Sequence, residues 1–138
     1  MRNEILRYEK TGQLVRTRAG QTLAQAHLAR AGKNLEFATL VLERIPEHAS
    51  WATISSYYAA YHAALAVLAR HGYLSKSHTA TITAVKEIGM NITTLEQLKQ
   101  DRETANYSPE SEYVTTLAKH DLNLARDIVF TIKEQLSP

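Results

Sequence analysis

Apolar residues recur every third or fourth position over long stretches of this chain, the period of helices with one buried stripe. Ala24, Leu28, Ala31, Leu35, Ala38, Leu42 and Ile45 alternate steps of four and three and predict one such helix. Pro46 should end it, because proline has no N–H to donate and disfavours helical geometry at the residue before it. A second long helix is expected from about Ala49 to Arg70, with Ile54, Tyr58, Tyr61, Leu65 and Leu68 inward. Its alanines (Ala59, Ala60, Ala63, Ala64 and Ala66) would let a neighbouring helix approach closely, and His71-Gly72 supplies the stop.

The rest of the chain reads in the same way. A shorter helix is expected from about His78, with Ile82, Val85 and Ile88 inward, ending near Gly89. Thr93 and Glu96 have the spacing of a capping box opening another helix, with Leu95 and Leu98 as anchors and an end near Tyr107. Ser108-Pro109 is a helix-start signal. The last helix is expected over about Glu110 to Gln135, with Val114, Leu117, Leu124, Ile128 and Ile132 inward. Residues 1–18 carry scattered apolar positions (Ile5, Leu6, Leu14, Val15) and a Gly12 break, and read as a short helix or arm rather than core. Residues 19–138 read as one domain. The expected class is all-α, an up-and-down bundle of about four to five helices with antiparallel neighbours, because the loops are short.

Composition narrows the chemistry. A chain of 138 residues suits one domain. It can bury roughly two-thirds of its extended surface, so it needs no staple. Without cysteine it has no disulfide, thiolate zinc site or cysteine nucleophile. No apolar run approaches the roughly 20 residues of a membrane span, and the basic, polar start lacks a signal-peptide core. A soluble cytoplasmic protein is expected. Net charge is only +2, but it is polarised. Residues 1–44 hold eight Lys/Arg against four Glu, and residues 91–138 hold five against eight acidic residues. Such polarity can steer an anionic ligand or an oppositely charged partner.

The six histidines, at 27, 48, 62, 71, 78 and 120, do not form the i, i+4 zinc motif, and no glycine-rich phosphate loop is present. No metal or cofactor is expected. Tyr57, Tyr58 and Tyr61 read either as core residues with hydroxyls at the rim or as a base-stacking surface. His62 lies one turn after Tyr58 on the same face. His78 either caps its helix or faces a ligand. Arg102 and Asn106 are four apart and share a helix face. An arginine beside an amide suits a phosphate. The competing reading is a salt bridge, since Asp101 and Glu103 flank the arginine.

The run Ser56-Tyr57-Tyr58-Ala59-Ala60-Tyr61-His62-Ala63-Ala64 is preceded by Leu35-Glu36-Phe37-Ala38. It is followed by Gly72-Tyr73, Lys76-Ser77-His78, and Arg102 with Ala105-Asn106-Tyr107-Ser108. In order and spacing these segments resemble the HEPN superfamily, and within it small stand-alone HEPN proteins. The resemblance implies a helical bundle that dimerises, bringing the arginine motifs of two subunits together. It also implies either an RNA-cutting toxin or the companion of a minimal nucleotidyltransferase in a two-gene, toxin–antitoxin module. Ribonuclease members carry an arginine followed, after four to six residues, by a histidine. Here Tyr107 stands after four residues, and Ser108 and Pro109 follow. A phenol, with an ordinary pKa near ~10, is a poor base at neutral pH.

Three functions follow from this. The first is nucleotide or RNA binding with little or no catalysis, within a nucleotidyltransferase–HEPN module and as a homodimer. There Arg102, Asn106, Tyr107, His78, Tyr58 and His62 form the ligand site, and Tyr107 is a candidate acceptor for the partner enzyme. The second is a metal-independent ribonuclease using Arg102 with Tyr107 or His78. The third is a purely structural module whose alanine-rich helix binds a partner helix.

Overall fold

The computed structural model describes residues 3–137. Among them the chain forms α1 (Asn3–Lys10), β1 (Leu14–Arg16), α2 (Gly20–Arg44), a 3-10 turn (Pro46–His48), α3 (Ser50–Arg70), β2 (Tyr73–Ser75), α4 (His78–Ile88), α5 (Thr93–Tyr107) and α6 (Glu112–Leu136). The all-α bundle is there, with α1 and a small antiparallel ribbon added to it. The ribbon pairs Leu14 with Ser75, Val15 with Leu74 and Arg16 with Tyr73.

The centre of the bundle is α3, which touches α2, α4, α5, α6 and β2. It is buried around almost its whole circumference, with Ser50, Thr53, Ser55 and Ser56 buried along with its alanines. The single inward stripe expected for it is therefore corrected. Ile54, Tyr58 and Leu65 are only half-buried, whereas Ala52, Ala59, Ala60, Ala63, Ala64 and Ala66 have no exposed surface. Where helices press on α3 from several sides there is room only for a methyl group, and larger side chains sit where the neighbours diverge. Gly20 extends this close approach to the end of α3. A Cβ there would lie 2.2 Å from the Ala69 carbonyl oxygen, so only glycine lets α2 start against it.

The outer helices show smaller corrections. Ala24, Ala31 and Ala38 of the α2 stripe are buried, but Ile45 is exposed and Val41 takes its place in the core. Ile45 has already left helical geometry at φ −137° ahead of Pro46. The buried face of α6 runs through Val114, Ala118, Asp121, Leu122, Ala125, Val129 and Ile132. Leu117, Leu124 and Ile128, expected inward, are half-buried at its edge.

Two helix-start signals are also corrected, although α5 does open at Thr93. The Thr93–Glu96 capping box does not form, and the Asn91 side-chain oxygen accepts from the Thr93 N–H instead (3.0 Å). Ser108-Pro109 does not open α6. Ser111 is its N-cap, accepting from the Val114 N–H at 3.3 Å. The intervening loop delivers Glu110 to the start of α3, where its carboxylate accepts from the Ser50 N–H (3.3 Å) and hydroxyl. A carboxylate at a helix N-terminus meets the unpaired N–H groups and the favourable end of the dipole.

The N-terminal segment forms α1 and β1, and both contribute to the core. Ile5, Tyr8 and Leu14 are buried in the main apolar cluster with α3, α4, α5 and α6 residues. Glu87 of α4 accepts from the Glu4 and Ile5 N–H groups at 3.0 and 3.3 Å, which fixes α1 against α4.

Candidate functional site

The candidate site is built where α3, the start of α4 and the last turns of α5 meet. β2 ends in a tight polar turn that aims His78. The Ser77 hydroxyl accepts from the Ala80 N–H (3.0 Å) as the N-cap of α4 and donates to the Gln13 side-chain oxygen (2.9 Å). The Lys76 N–H donates to the Gln13 carbonyl at 2.8 Å. With Ser77 capping the helix, His78 is released from that task. Its ring lies on Tyr61, centroids 4.2 Å apart and planes at 12°. It meets Tyr58 edge-on at 6.3 Å. Its Nδ1 is 2.9 Å from the Tyr57 hydroxyl. Tyr61 is itself anchored, hydroxyl to hydroxyl, to Thr81 at 3.0 Å.

Arg102 closes the cluster from α5. Its Nη1 donates to the Tyr58 hydroxyl at 3.0 Å. Its guanidinium carbon lies 4.8 Å from the Tyr57 ring centre and 5.7 Å from that of Tyr58. Cation–π contacts of this kind contribute about 0.5–2 kcal/mol, more as water is excluded. Among the described residues Arg102 makes no ion pair. The expected competitor does not materialise. Asp101 turns inward, accepts from the Gln97 amide (2.9 Å) and interacts with the fully buried Asp121 of α6. Arg102 is thus oriented by aromatic faces and keeps its charge unneutralised.

The electrostatics follow from burial and from that charge. Burial, then Arg102 and Lys99, lower the His78 pKa, so the imidazole is neutral at pH 7. Burial raises the Tyr57 pKa, so it remains a phenol. A buried phenol must donate its proton. Among the described residues the Tyr57 hydroxyl has one partner, His78 Nδ1. The proton therefore points to Nδ1, which leaves the His78 proton on Nε2. In this tautomer His78 presents a donor, not a base.

The other candidate residues lie outside this cluster. Asn106 is exposed, and its side chain makes no hydrogen bond among the described residues. Tyr107 is 88% exposed at the last residue of α5. The helix does not end between Arg102 and Tyr107, so the two side chains are not drawn together. His62 faces α2, its Nδ1 3.0 Å from Nδ1 of His27. Its pKa is pushed down to about 4 by burial, then by His27 and Arg30. The sequence carried no signal for Lys99 beside His78 or for the His27 partnership, since each needs two helices placed side by side. Among the described residues no three His, Asp or Glu side chains gather to hold a metal ion, and no helix is long and apolar enough to cross a membrane.

Neither a curated protein nor a solved structure matches this chain. The family model for the HEPN domain matches residues 24–135, which hold α3, His78, Arg102 and Tyr107. That match covers most of the length, and the chain belongs to the HEPN family.

Proposed function

We propose that this HEPN protein binds a phosphate group of a nucleotide or RNA, with little or no catalysis, as one half of a nucleotidyltransferase–HEPN module of toxin–antitoxin type. The observation that carries the proposal is Arg102, held over Tyr57 and Tyr58 with no carboxylate partner among the described residues. A fixed, unpaired guanidinium is a ready phosphate receptor. The Nε2–H of His78 adds a neutral donor, and the half-buried ring of Tyr58 offers a face for a base. Exposed Tyr107 is accessible to a partner enzyme as an acceptor. A homodimer would bring two such sites together. The test is fluorescence-polarisation binding of labelled nucleotide and short RNA to wild type and Arg102→Ala. Binding lost in a variant with unchanged helical circular dichroism supports the proposal. Equal binding by both proteins overturns it.

The second reading is a metal-independent ribonuclease, favoured by one observation: neutral His78 stands in the same aromatic cluster as Arg102. It requires the opposite tautomer, with Nδ1 donating to Tyr57 and Nε2 free as the base. Growth arrest on expression, relieved by Arg102→Ala, would favour it. The third reading, a partner helix docked on the alanine face of α3, is not proposed. Ala60 and Ala63 have no exposed surface, because the chain's own helices cover them.

A further inference from the structure

Trp51, the one tryptophan of the chain, is 56% exposed in the first turn of α3. Among the described residues its indole makes no hydrogen bond and meets no other ring. Its place is more informative than its exposure. Trp51, Ile54 and Tyr58 are spaced by three and four, so they follow one another along one side of α3. Ile54 and Tyr58 are half-buried. The Tyr58 hydroxyl accepts from Arg102 Nη1 at 3.0 Å, so the stripe leads from the indole to the unneutralised guanidinium. Seven residues of helix set Trp51 about 10 Å from Tyr58 along the axis, with about 20° between their directions.

α5 forms a second wall. It runs antiparallel to α3, because Arg102 meets Tyr58 at one end and, beyond the helix, Glu110 accepts from the Ser50 N–H (3.3 Å) at the other. That brings Asn106 level with Ile54. Asn106 is four residues from Arg102 on the same side of α5, exposed, with its amide donor and acceptor unengaged among the described residues. Glu110, the carboxylate at the Trp51 end, is taken up by the N–H and hydroxyl of Ser50.

A guanidinium, then an amide, then an open indole match a single strand of RNA. A mononucleotide with its phosphate on Arg102 covers Tyr58 and goes no farther. Trp51 lies about three stacked-base steps of roughly 3.4 Å beyond, within reach only of later nucleotides of the same strand. A duplex keeps its base faces inside its own stack and has none to lay on an indole. An apolar peptide would cover the stripe but leave Arg102 and Asn106 unmatched.

We propose that single-stranded RNA lies along this stripe, with a phosphate on Arg102, a base stacked on Trp51 and Asn106 at a base edge between them. The inference rests on the phosphate reading of Arg102 and adds to it the polymer and a second contact.

The test is titration of the full chain with octauridylate and with uridine 5′-monophosphate, followed by Trp51 fluorescence and by calorimetry. The octamer should quench the fluorescence, and the monophosphate should leave it unchanged. Trp51→Ala should weaken the octamer about tenfold, within the usual loss for one stacked base, and Trp51→Phe far less. Neither variant should alter monophosphate binding, whereas Arg102→Ala should weaken both ligands. Octamer affinity unchanged in Trp51→Ala overturns the inference and leaves the phosphate reading standing. If the same variant also turns a dimer into a monomer, a second copy of the chain covers the stripe instead. Octamer and monophosphate binding that both survive Arg102→Ala, or no binding of either by wild type, overturns the inference together with the reading beneath it.

Discussion

The Tyr57 hydroxyl lies 2.9 Å from Nδ1 of His78, and this one contact decides what His78 offers a ligand. With the phenol donating, nitrogen-15 spectra at pH 7.5 should show His78 as the Nε2–H tautomer. Tyr57→Phe removes the donor, so the tautomers should mix. Stability should fall by about 1 kcal/mol, the usual net value of one hydrogen bond. A spectrum of the wild type dominated by Nδ1–H would instead favour the ribonuclease reading.

Phosphate binding should strengthen as the medium becomes acidic. The folded His78 pKa is depressed by burial, Arg102 and Lys99, so the ring is neutral at pH 7. A bound anion favours the charged ring and pulls a proton on. Affinity should therefore rise as pH falls below the ordinary histidine range. Titrations at pH 5.5 and 7.5 measure this, and a flat profile would remove His78 from the site.

Tyr58→Phe tests how Arg102 is held. The ring remains, but the hydroxyl that accepts from Nη1 is gone. Nucleotide binding should weaken several-fold, while thermal stability changes by no more than about 1 kcal/mol. Unchanged affinity would mean that the aromatic faces alone orient the guanidinium.

Asp121 should make the protein less stable as pH rises. Its pKa is raised from 3.8 to about 8, by burial first and then by the neighbouring Asp101 carboxylate. Between these values the folded chain keeps a proton that the unfolded chain releases. The unfolded state thus binds fewer protons, and stability falls with pH across that window and levels off above it. Urea midpoints at pH 5 and 8.5 should show the fall in wild type, and Asp121→Asn should lose most of it. An identical slope in the variant would place the proton elsewhere.

Gly20→Ala should be costly although the position is a helix start. The added methyl would meet the Ala69 carbonyl oxygen at 2.2 Å and its carbon at 3.2 Å. Both are backbone atoms and cannot rotate away, so about 1–3 kcal/mol of overpacking is expected. A melting temperature equal to wild type would mean that α2 can slide along α3.

Much of this architecture is legible in the residue pattern, and the failures share a cause. Helix positions follow from the 3.6-residue period and from breakers such as Pro46 and Gly89. Which face is most buried does not, because large apolar residues draw attention while the tightest packing admits only alanine, as along α3. Starts also depend on partners far away in sequence. Glu110 serves α3, which delays α6 to Ser111. At the site, Arg102, His78 and the tyrosines stand out by residue type. Their roles rest on the Tyr57–His78 contact and on Asp101 turning towards Asp121, relations between helices that no local spacing encodes.

The ribbon carries one more consequence. The recognisable HEPN region begins at Ala24, yet the turn that aims His78 is fastened to Gln13, and Leu14 and Ile5 fill the same core as α3. A fragment trimmed to the family's borders would keep every signature residue and lose the mounting of one of them. In this protein the segment that carries the family likeness is smaller than the unit that holds the site in place.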